Sequence, residues 1–371
     1  MAAPWAALLL AFANTPGGHA PRPEPRVRQL ERAFFVDAKV RLTSDAHLDL
    51  FARETATPLY DPPTGRLYVG TRDGALRCFV RGRPAWTHQA ASGVLATPLM
   101  AADTLYVPTG GGALVALNRI TGQTRWSTDL KEELTTTPTL AEGRLFVASS
   151  EEAVTALDAA TGKSLWKFRR EPGAGFLVRG NARPRHAHGL IYTGFADGSV
   201  VALTPSSGVA KWVRAAGGAG DYLDIDALEA PEEDARLYAA GARTGVVALD
   251  AKTGEPVWTY ALPGANRLLI EGARIYAGGR GAVVALSRID GKKLWQFALG
   301  ADKFATAPAT ADGLLLFAVE RGPLYALDAD TGRARGIFDP GSGFSQGVLP
   351  MKGAAMIVSN SGSLFTLGLL P

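Results

Sequence analysis

The sequence predicts an all-β fold, an eight-bladed β-propeller built from four-stranded antiparallel blades. Three observations predict it: one short motif recurs eight times, each repeat divides into four short apolar runs, and the last repeat lacks one run that the N-terminus can supply. Eight repeats of about 40 residues indicate a single repeat architecture rather than the two or three domains that a length of 371 residues would suggest.

The recurring motif reads Ala-Leu-Asp-x-x-Thr-Gly-x-x-x-Trp and is clearest in the segments Ala156–Trp166 and Ala248–Trp258. Its second residue, or the equivalent, falls at positions 79, 117, 157, 203, 249, 286, 327 and 367. Neighbouring copies are therefore 37 to 46 residues apart. A period of this length is typical of propellers and of other arrays in which each unit packs against its neighbours.

Each repeat contains four short runs of apolar and β-branched residues separated by turn residues. In the third repeat the runs are residues 136–140, 144–148, 153–157 and 164–168. Such runs predict strands joined by hairpins, and no repeat has a stretch with the 3.6-residue period of an amphipathic helix. Four antiparallel strands per repeat form one blade of a β-propeller.

The motif also suggests roles for its turn and for its tryptophan. Glycine allows the positive φ that a tight turn needs, and Asp and Thr side chains can satisfy the turn's backbone groups. The tryptophan falls on the outermost strand, where an indole can bury about 150–250 Å² against the neighbouring blade. Six repeats carry this structural residue, at Trp86, Trp126, Trp166, Trp212, Trp258 and Trp295.

The last repeat stops after its third run, residues 363–367, which would leave an open sheet edge prone to aggregation. An unassigned strand-like segment, residues 32–40, precedes the first repeat. We therefore expect the N-terminal segment to supply the fourth strand of the last blade and so to close the propeller.

The N-terminus predicts export from the cytoplasm. An apolar stretch is followed by the small-x-small pattern Gly18-His19-Ala20, so residues 1–20 are interpreted as a signal peptide, although no Lys or Arg precedes the apolar core. Residues 21–29, rich in Pro and Arg, are interpreted as a linker, and residues 30–371 as the propeller. No cysteine lies near the cleavage point, so a lipoprotein anchor cannot be made there.

Composition argues against several classes of function. The net charge of +4 is spread along the chain without a run of like charges, so nucleic-acid binding is not expected. The single cysteine, Cys78, stands where other repeats carry Ala and is expected to be a small buried residue. His186 and His188 have no third ligand nearby, and residues 221–226 lack the spacing of a calcium loop, so no metal site is predicted.

The motif resembles the repeat of pyrroloquinoline quinone (PQQ)-type propellers over nearly the whole mature chain. That superfamily contains quinoprotein dehydrogenases and cofactor-free scaffolds, among them the BamB family of the machinery that assembles outer-membrane β-barrels. The dehydrogenases place a disulfide between adjacent cysteines against the quinone and cover it with long insertions. This chain has one cysteine and short blades, so the resemblance implies a scaffold without catalytic activity, cofactor or metal.

Two long connections carry the resemblance to the BamB family, residues 169–182 and 214–237. They join the same pair of strands in successive blades, so we expect them side by side. The first resembles the Leu-x-Leu-Arg-Gly segment through which BamB binds BamA, and the second resembles the Asp-Val-Asp segment of BamB. The resemblance implies partner contacts by six residues: Phe176, Leu177, Val178, Arg179, Asp224 and Asp226.

The resemblance therefore implies a monomeric periplasmic scaffold, peripheral to the outer membrane, that docks on the POTRA domains of BamA. Nascent outer-membrane proteins are a second candidate partner. Two other functions stay open: a PQQ-dependent oxidoreductase, and a periplasmic propeller that binds another protein or a polysaccharide, because repeat propellers host all of these. The acidic residues and the arginine could also form no more than an ion pair at the surface of the chain itself.

Overall fold

The computed structural model describes residues 26–28, 33–43, 53–170, 182–217 and 224–370, the first of these ranges by its backbone. Within these ranges the chain forms 33 β-strands and no α-helix. None of the described segments is a helix long and apolar enough to span a membrane.

Two strands, β1 (Arg26–Arg28) and β2 (Phe34–Arg41), precede the repeats. The other strands form eight consecutive groups, called blades 1 to 8. Blades 1 to 4 are β3 (Leu59–Asp61), β4 (Arg66–Gly70), β5 (Ala75–Val80) and β6 (Arg83–Gln89); β7 (Leu99–Ala101), β8 (Thr104–Pro108), β9 (Ala113–Asn118) and β10 (Thr124–Asp129); β11 (Thr139–Ala141), β12 (Arg144–Ser149), β13 (Ala153–Asp158) and β14 (Ser164–Arg169); β15 (Arg185–Ala187), β16 (Leu190–Gly194), β17 (Ser199–Leu203) and β18 (Ala210–Ala215). Blades 5 to 8 are β19 (Ala227–Glu229), β20 (Arg236–Gly241), β21 (Gly245–Asp250) and β22 (Pro256–Tyr260); β23 (Arg267–Glu271), β24 (Arg274–Gly279), β25 (Ala282–Ser287) and β26 (Lys293–Ala298); β27 (Ala309–Ala311), β28 (Leu314–Ala318), β29 (Leu324–Asp328) and β30 (Ala334–Asp339); β31 (Leu349–Met351), β32 (Ala354–Val358) and β33 (Ser363–Leu369).

Every blade is an antiparallel sheet in which strands consecutive in the chain are neighbours. Blades 1 to 7 supply their own four strands, and blade 8 supplies three. With the N-terminal strands described below, blade 8 also has four strands and blade 7 gains a fifth, so the chain has eight antiparallel blades of at least four strands. The predicted fold class, an all-β eight-bladed β-propeller, is confirmed.

The blades group into two compact units, residues 1–97 with 305–371 and residues 98–304. Each unit has its own apolar clusters between neighbouring blades. In the first unit, Phe338, Phe344 and Phe365 are buried together with aliphatic residues of blades 7 and 8. In the second unit, one cluster joins Tyr192 and Trp212 of blade 4 to residues of blade 5.

The N-terminal segment pairs with two successive blades of the first unit. Strand β2 pairs with β33, from Phe34 opposite Leu369 to Arg41 opposite Ser363, and so completes blade 8 as predicted. Strand β1, which lies inside the predicted linker, pairs with β30 and becomes a fifth strand of blade 7. Both pairings cover the outer edge that each blade would otherwise expose.

The tryptophans of the repeat pack against an aromatic residue of their own blade. In blade 3, Trp166 on β14 lies opposite Ala156 on β13, which lies opposite Phe146 on β12. The small alanine lets the two rings approach to 5.7 Å between centroids. Cys78 takes the place of the alanine in blade 1, and burial raises the pKa of its thiol to about 11.

The same tryptophans also contact the turn of the next blade, as the second unit shows in blades 2 to 5. The indole of Trp166 lies over Gly208, where φ is +71° and a Cβ atom would come within 2.6 Å of the ring. Its Nε1–H donates to the carbonyl of Pro205, 2.9 Å away. Glycine is therefore required in the motif for two reasons. The turn needs a positive φ, and the indole ring leaves no space for a Cβ atom. Four pairs share this geometry: Trp126 with Gly162, Trp166 with Gly208, Trp212 with Gly254, and Trp258 with Gly291.

Candidate partner-docking site

The predicted docking residues divide into two groups. Four of them, Phe176, Leu177, Val178 and Arg179, lie outside the described residues, as does the whole range 171–181. Asp224 and Asp226 are described, and so are Arg170 and Ala182, which lie near the two ends of the first connection. These four described residues belong to the second unit, at the end of the blades where the hairpins between second and third strands also lie.

Arg170 is held by two neighbouring hairpins. Its N–H donates to the carbonyl of Glu152 in blade 3, 2.9 Å away. Its guanidinium donates to Asp197 in blade 4 through Nε, at 3.1 Å, and through Nη2. Burial alone would raise the pKa of Asp197, but hydrogen bonds from Ser199 and Arg170 hold it below its ordinary value. Asp197 is therefore charged when it holds Arg170 in place.

Ala182, on the other side of the first connection, is bound to the end of strand β16. Its N–H donates to the carbonyl of Gly194 at 3.3 Å, and its carbonyl accepts from Thr193 Oγ1 at 3.1 Å. The alanine is completely buried. Both described flanks of the first connection therefore contact one hairpin of blade 4, residues 193–199, which we call the blade 4 hairpin.

The segment Asp224-Ile225-Asp226, called the acidic segment, is attached to the same hairpin. The N–H of Ile225 donates to the carbonyl of Phe195 at 3.0 Å, and the isoleucine side chain is completely buried. A Cβ atom placed on Gly194 would overlap Ile225 and would lie 3.4 Å from the Cβ of Ala182. Gly194 is thus the point at which the first connection and the acidic segment meet, and the absence of a side chain allows their close approach.

The two acids beside Ile225 have different surroundings. Asp224 is only 5% exposed, and its Oδ1 accepts the N–H of Ala242 at 3.0 Å. Asp226 is half-buried, and its pKa is raised to about 6 by burial and by the nearby Asp224, with Arg267 opposing the shift. The carboxylate of Asp224 is therefore hydrogen-bonded to the backbone of blade 5. The carboxylate of Asp226 is more accessible to a partner.

Ile225 occupies a position that recurs in the propeller. At the end of a second strand, a glycine meets an apolar side chain from the following connection, and the contact is too close for a Cβ atom. Two blades show this arrangement, with the pairs Gly70 and Val94, and Gly194 and Ile225. The isoleucine is thus a structural anchor of the repeat, and the flanking acids are the specific feature of this segment.

A second charged cluster lies beside Arg170, on blade 3. Glu132 is buried except for a tenth of its side chain, and it accepts hydrogen bonds from Lys167 at 2.5 Å and from Ser149 at 2.6 Å. It also pairs with Arg169. This cluster fixes the last residues of β14 immediately before the first connection. Sequence reasoning singled out neither Glu132 nor the pair of Arg170 with Asp197, because their partners are not part of the repeat motif.

A family model described as outer membrane protein assembly factor BamB matches residues 100–229, 225–337 and 279–359. Together these matches cover well over half of the chain. The chain belongs to the BamB family. No curated protein sequence matches it significantly.

Solved structures similar to this member of the BamB family include a BamB, a quinohemoprotein alcohol dehydrogenase and a computationally designed protein. The crystal structure of BamB from Moraxella catarrhalis is 20% identical, with a TM-score of 0.77 over 91% of this chain and 100% of that chain. The quinohemoprotein alcohol dehydrogenase ADHIIG from Pseudomonas putida HK5 is 15% identical, with a TM-score of 0.72 over 91% of this chain and 76% of that chain. The computationally designed Ika8 protein is 15% identical, with a TM-score of 0.70 over 86% of this chain and 98% of that chain. At these identities the similarity shows the propeller fold.

Proposed function

We propose that the protein is a non-enzymatic periplasmic scaffold of the outer-membrane β-barrel assembly machinery that docks on the POTRA domains of BamA. The docking surface consists of residues 171–181 of the first connection and the acidic segment Asp224-Ile225-Asp226. One observation carries the proposal: Ala182 and Ile225, which border or belong to the two predicted segments, meet at Gly194. The last residue of the first connection and the centre of the acidic segment therefore lie at one place, which supports a shared docking surface.

The proposed contacts divide into an apolar part and a charged part. Phe176, Leu177 and Val178 supply apolar side chains, and Arg179 supplies a cation among them. Apolar anchors beside an arginine are typical of the residues that dominate the energy of an interface. Asp226 adds a carboxylate that can meet a basic group of the partner or orient Arg179. Asp224 supports this arrangement by accepting the hydrogen bond of the Ala242 N–H.

A scaffold agrees better than a quinoprotein with the residues of this chain. Quinoprotein dehydrogenases use a disulfide between adjacent cysteines against the quinone, whereas the single cysteine of this chain, Cys78, is buried in blade 1. Among the described residues, no group of three or more His, Cys, Asp and Glu is arranged to hold a metal ion. Membership of the BamB family favours the same choice.

The location follows from the N-terminus and from the family. We infer that residues 1–20 direct export, that residues 21–29 link the signal to the propeller residues 30–371, and that the mature chain works at the periplasmic side of the outer membrane as a monomer. Nascent outer-membrane proteins would then pass close to the propeller while BamA holds it.

Titration of the purified mature chain with the POTRA fragment of BamA from the same organism tests the proposal. We expect the wild type to bind, and Arg179→Glu and Asp226→Arg to weaken binding by about ten- to a hundredfold, the loss typical of interface anchors. Lys163→Glu, an exposed charge change in the turn between β13 and β14 at the other end of blade 3, is the matched control. The proposal fails if the wild type does not bind, or if the two variants bind as the control does.

A further inference from the structure

We infer that the blade 4 hairpin positions the acidic docking segment, and that Arg170 and Asp197 are positioning residues that act on Asp226 through it. The inference rests on the proposed function, since it concerns how that docking surface is held in shape. It assigns no partner contact to the hairpin itself, because all of its residues except Asp197 are buried.

The first step is the attachment of the hairpin to blade 3. The guanidinium of Arg170 donates twice to Asp197, and the N–H of Ala196 donates to the carboxylate of Glu152 at 2.9 Å. Two separate contacts from blade 3 thus fix the tip of the blade 4 hairpin. The side chains of Arg170 and Asp197 are 32% and 23% exposed, so the pair is largely shielded from solvent. Removing one partner would leave the other charge poorly compensated.

The second step is the attachment of the acidic segment to the hairpin. Ile225 donates its N–H to Phe195, two residues before Asp197, and packs its side chain against Gly194. The next residue, Asp226, donates its own N–H to Ala240 of blade 5 at 2.9 Å. The position of the Asp226 carboxylate is therefore set from one side by the blade 4 hairpin and from the other by blade 5.

The two steps form one continuous chain of contacts from Arg170 to Asp226. A docking surface that is already in its bound shape binds more tightly, because less ordering accompanies association. Displacing the tip of the hairpin would move Phe195 and Ile225, and the carboxylate of Asp226 would move with them. The ion pair thus contributes to partner affinity without touching the partner.

A charge swap separates this positioning role from general stabilisation. We expect Arg170→Glu and Asp197→Arg each to weaken binding to the BamA fragment by about tenfold, and the double variant to return to within about threefold of the wild type. The control is the exposed pair of Arg125 with Asp103, at the other end of blade 2, which receives the same reversals. Its variants should bind like the wild type.

Amide hydrogen exchange of the free protein provides a readout that does not depend on BamA. The amides of Ile225 and Asp226 should exchange at least about tenfold faster in each single variant and should recover in the double variant. Unchanged exchange at Ile225 in the single variants would overturn the inference, as would a double variant that stays as weak as the singles. Absence of wild-type binding would instead refute the proposed function, and the exchange data would still decide the inference.

Discussion

The outer strands of blades 2 to 5 and the connection-bearing end of blades 3 to 5 belong to the same compact unit but are built differently. Along the outer strands one contact recurs four times, a tryptophan over the turn glycine of the next blade. At the other region, the pair of Arg170 with Asp197 and the acids beside Ile225 each occur once among the residues that the structure describes. Repeated contacts are those on which every blade depends for stability, whereas single departures from the repeat are candidates for function.

The largest expected effect is on the repeated contact. Trp212 is 9% exposed, stacks on Gly254 and donates to the carbonyl of Ala251 at 3.3 Å. Trp212→Ala should lower the free energy of unfolding by about 3–5 kcal/mol, because it leaves a cavity between two blades. Denaturant unfolding measures this loss, and Lys211→Ala at the neighbouring exposed position serves as the control. A loss below about 1 kcal/mol would show that the stacking is not a main source of stability.

Two glycines with the same backbone conformation separate the contribution of the indole ring from that of the turn. Gly208 and Gly143 both have a φ of +71°, but a Cβ atom at Gly208 would lie 2.6 Å from Trp166, and one at Gly143 would meet nothing within 4 Å. Gly208→Ala should therefore cost about 2–4 kcal/mol and Gly143→Ala about 1 kcal/mol, since only the first adds overpacking to backbone strain. Thermal and denaturant unfolding compare the two. Equal losses would mean that the turn conformation alone explains the motif glycine.

Substitutions at Gly194 and Gly70 test whether the acidic segment, which is specific to one connection, carries the docking function. Each is overlapped by an apolar side chain of the following connection, Ile225 or Val94, so alanine at either should cost about 1–3 kcal/mol of stability. Only Gly194→Ala should also weaken docking on BamA, by about tenfold, because Ile225 carries Asp226 with it. Parallel measurements of unfolding and affinity make the comparison. An equal loss of affinity in Gly70→Ala would contradict a local docking surface.

The smallest expected effect is a dependence on pH. The raised pKa of Asp226, about 6, means that the folded state keeps a proton that the unfolded state has already lost. Stability therefore falls as pH rises from about 4 to about 6, and the penalty above pH 6 is about 1–3 kcal/mol. Asp226→Asn should remove this penalty at pH 7.5 and change little at pH 4.

The same variant should bind BamA more weakly, since the charge of Asp226 is the proposed contact. A gain of stability together with a loss of affinity is typical of a residue kept for function. Unfolding curves at the two pH values and one titration at pH 7.5 measure both. If Asp226→Asn is no more stable than the wild type at pH 7.5, the surroundings of Asp226 do not disfavour its charged form as described.

The contacts that recur from blade to blade could be predicted from the sequence, whereas strand β1 and the contacts that occur in one blade only could not. The motif carries Ala156, Gly162 and Trp166 at fixed spacing, because the same contacts between strands and between neighbouring blades recur along the chain. The strand that completes blade 8 was predicted because the last repeat lacked one. Strand β1 was interpreted as part of a linker, since three residues among Pro and Arg give no strand pattern.

The candidate site shows the same limit. Asp224 and Asp226 were chosen from a resemblance, but the sequence could not show that Asp224 accepts the N–H of Ala242 and is almost fully buried. The pair of Arg170 with Asp197 spans 27 residues and has no counterpart in the motif, so no spacing reveals it. The importance of Gly194 could have been recognised from the sequence, because Gly70 and Gly279 also end the second strand of their blades.

Hydrogen exchange of the mature chain with and without the BamA POTRA fragment tests the docking surface most directly. Peptides that cover residues 171–181 and 224–226 should exchange more slowly in the complex. The hairpin of residues 230–235, at the other end of blade 5, should be unaffected. Protection of residues 230–235 without protection of the two segments, or no protection anywhere, would contradict the account.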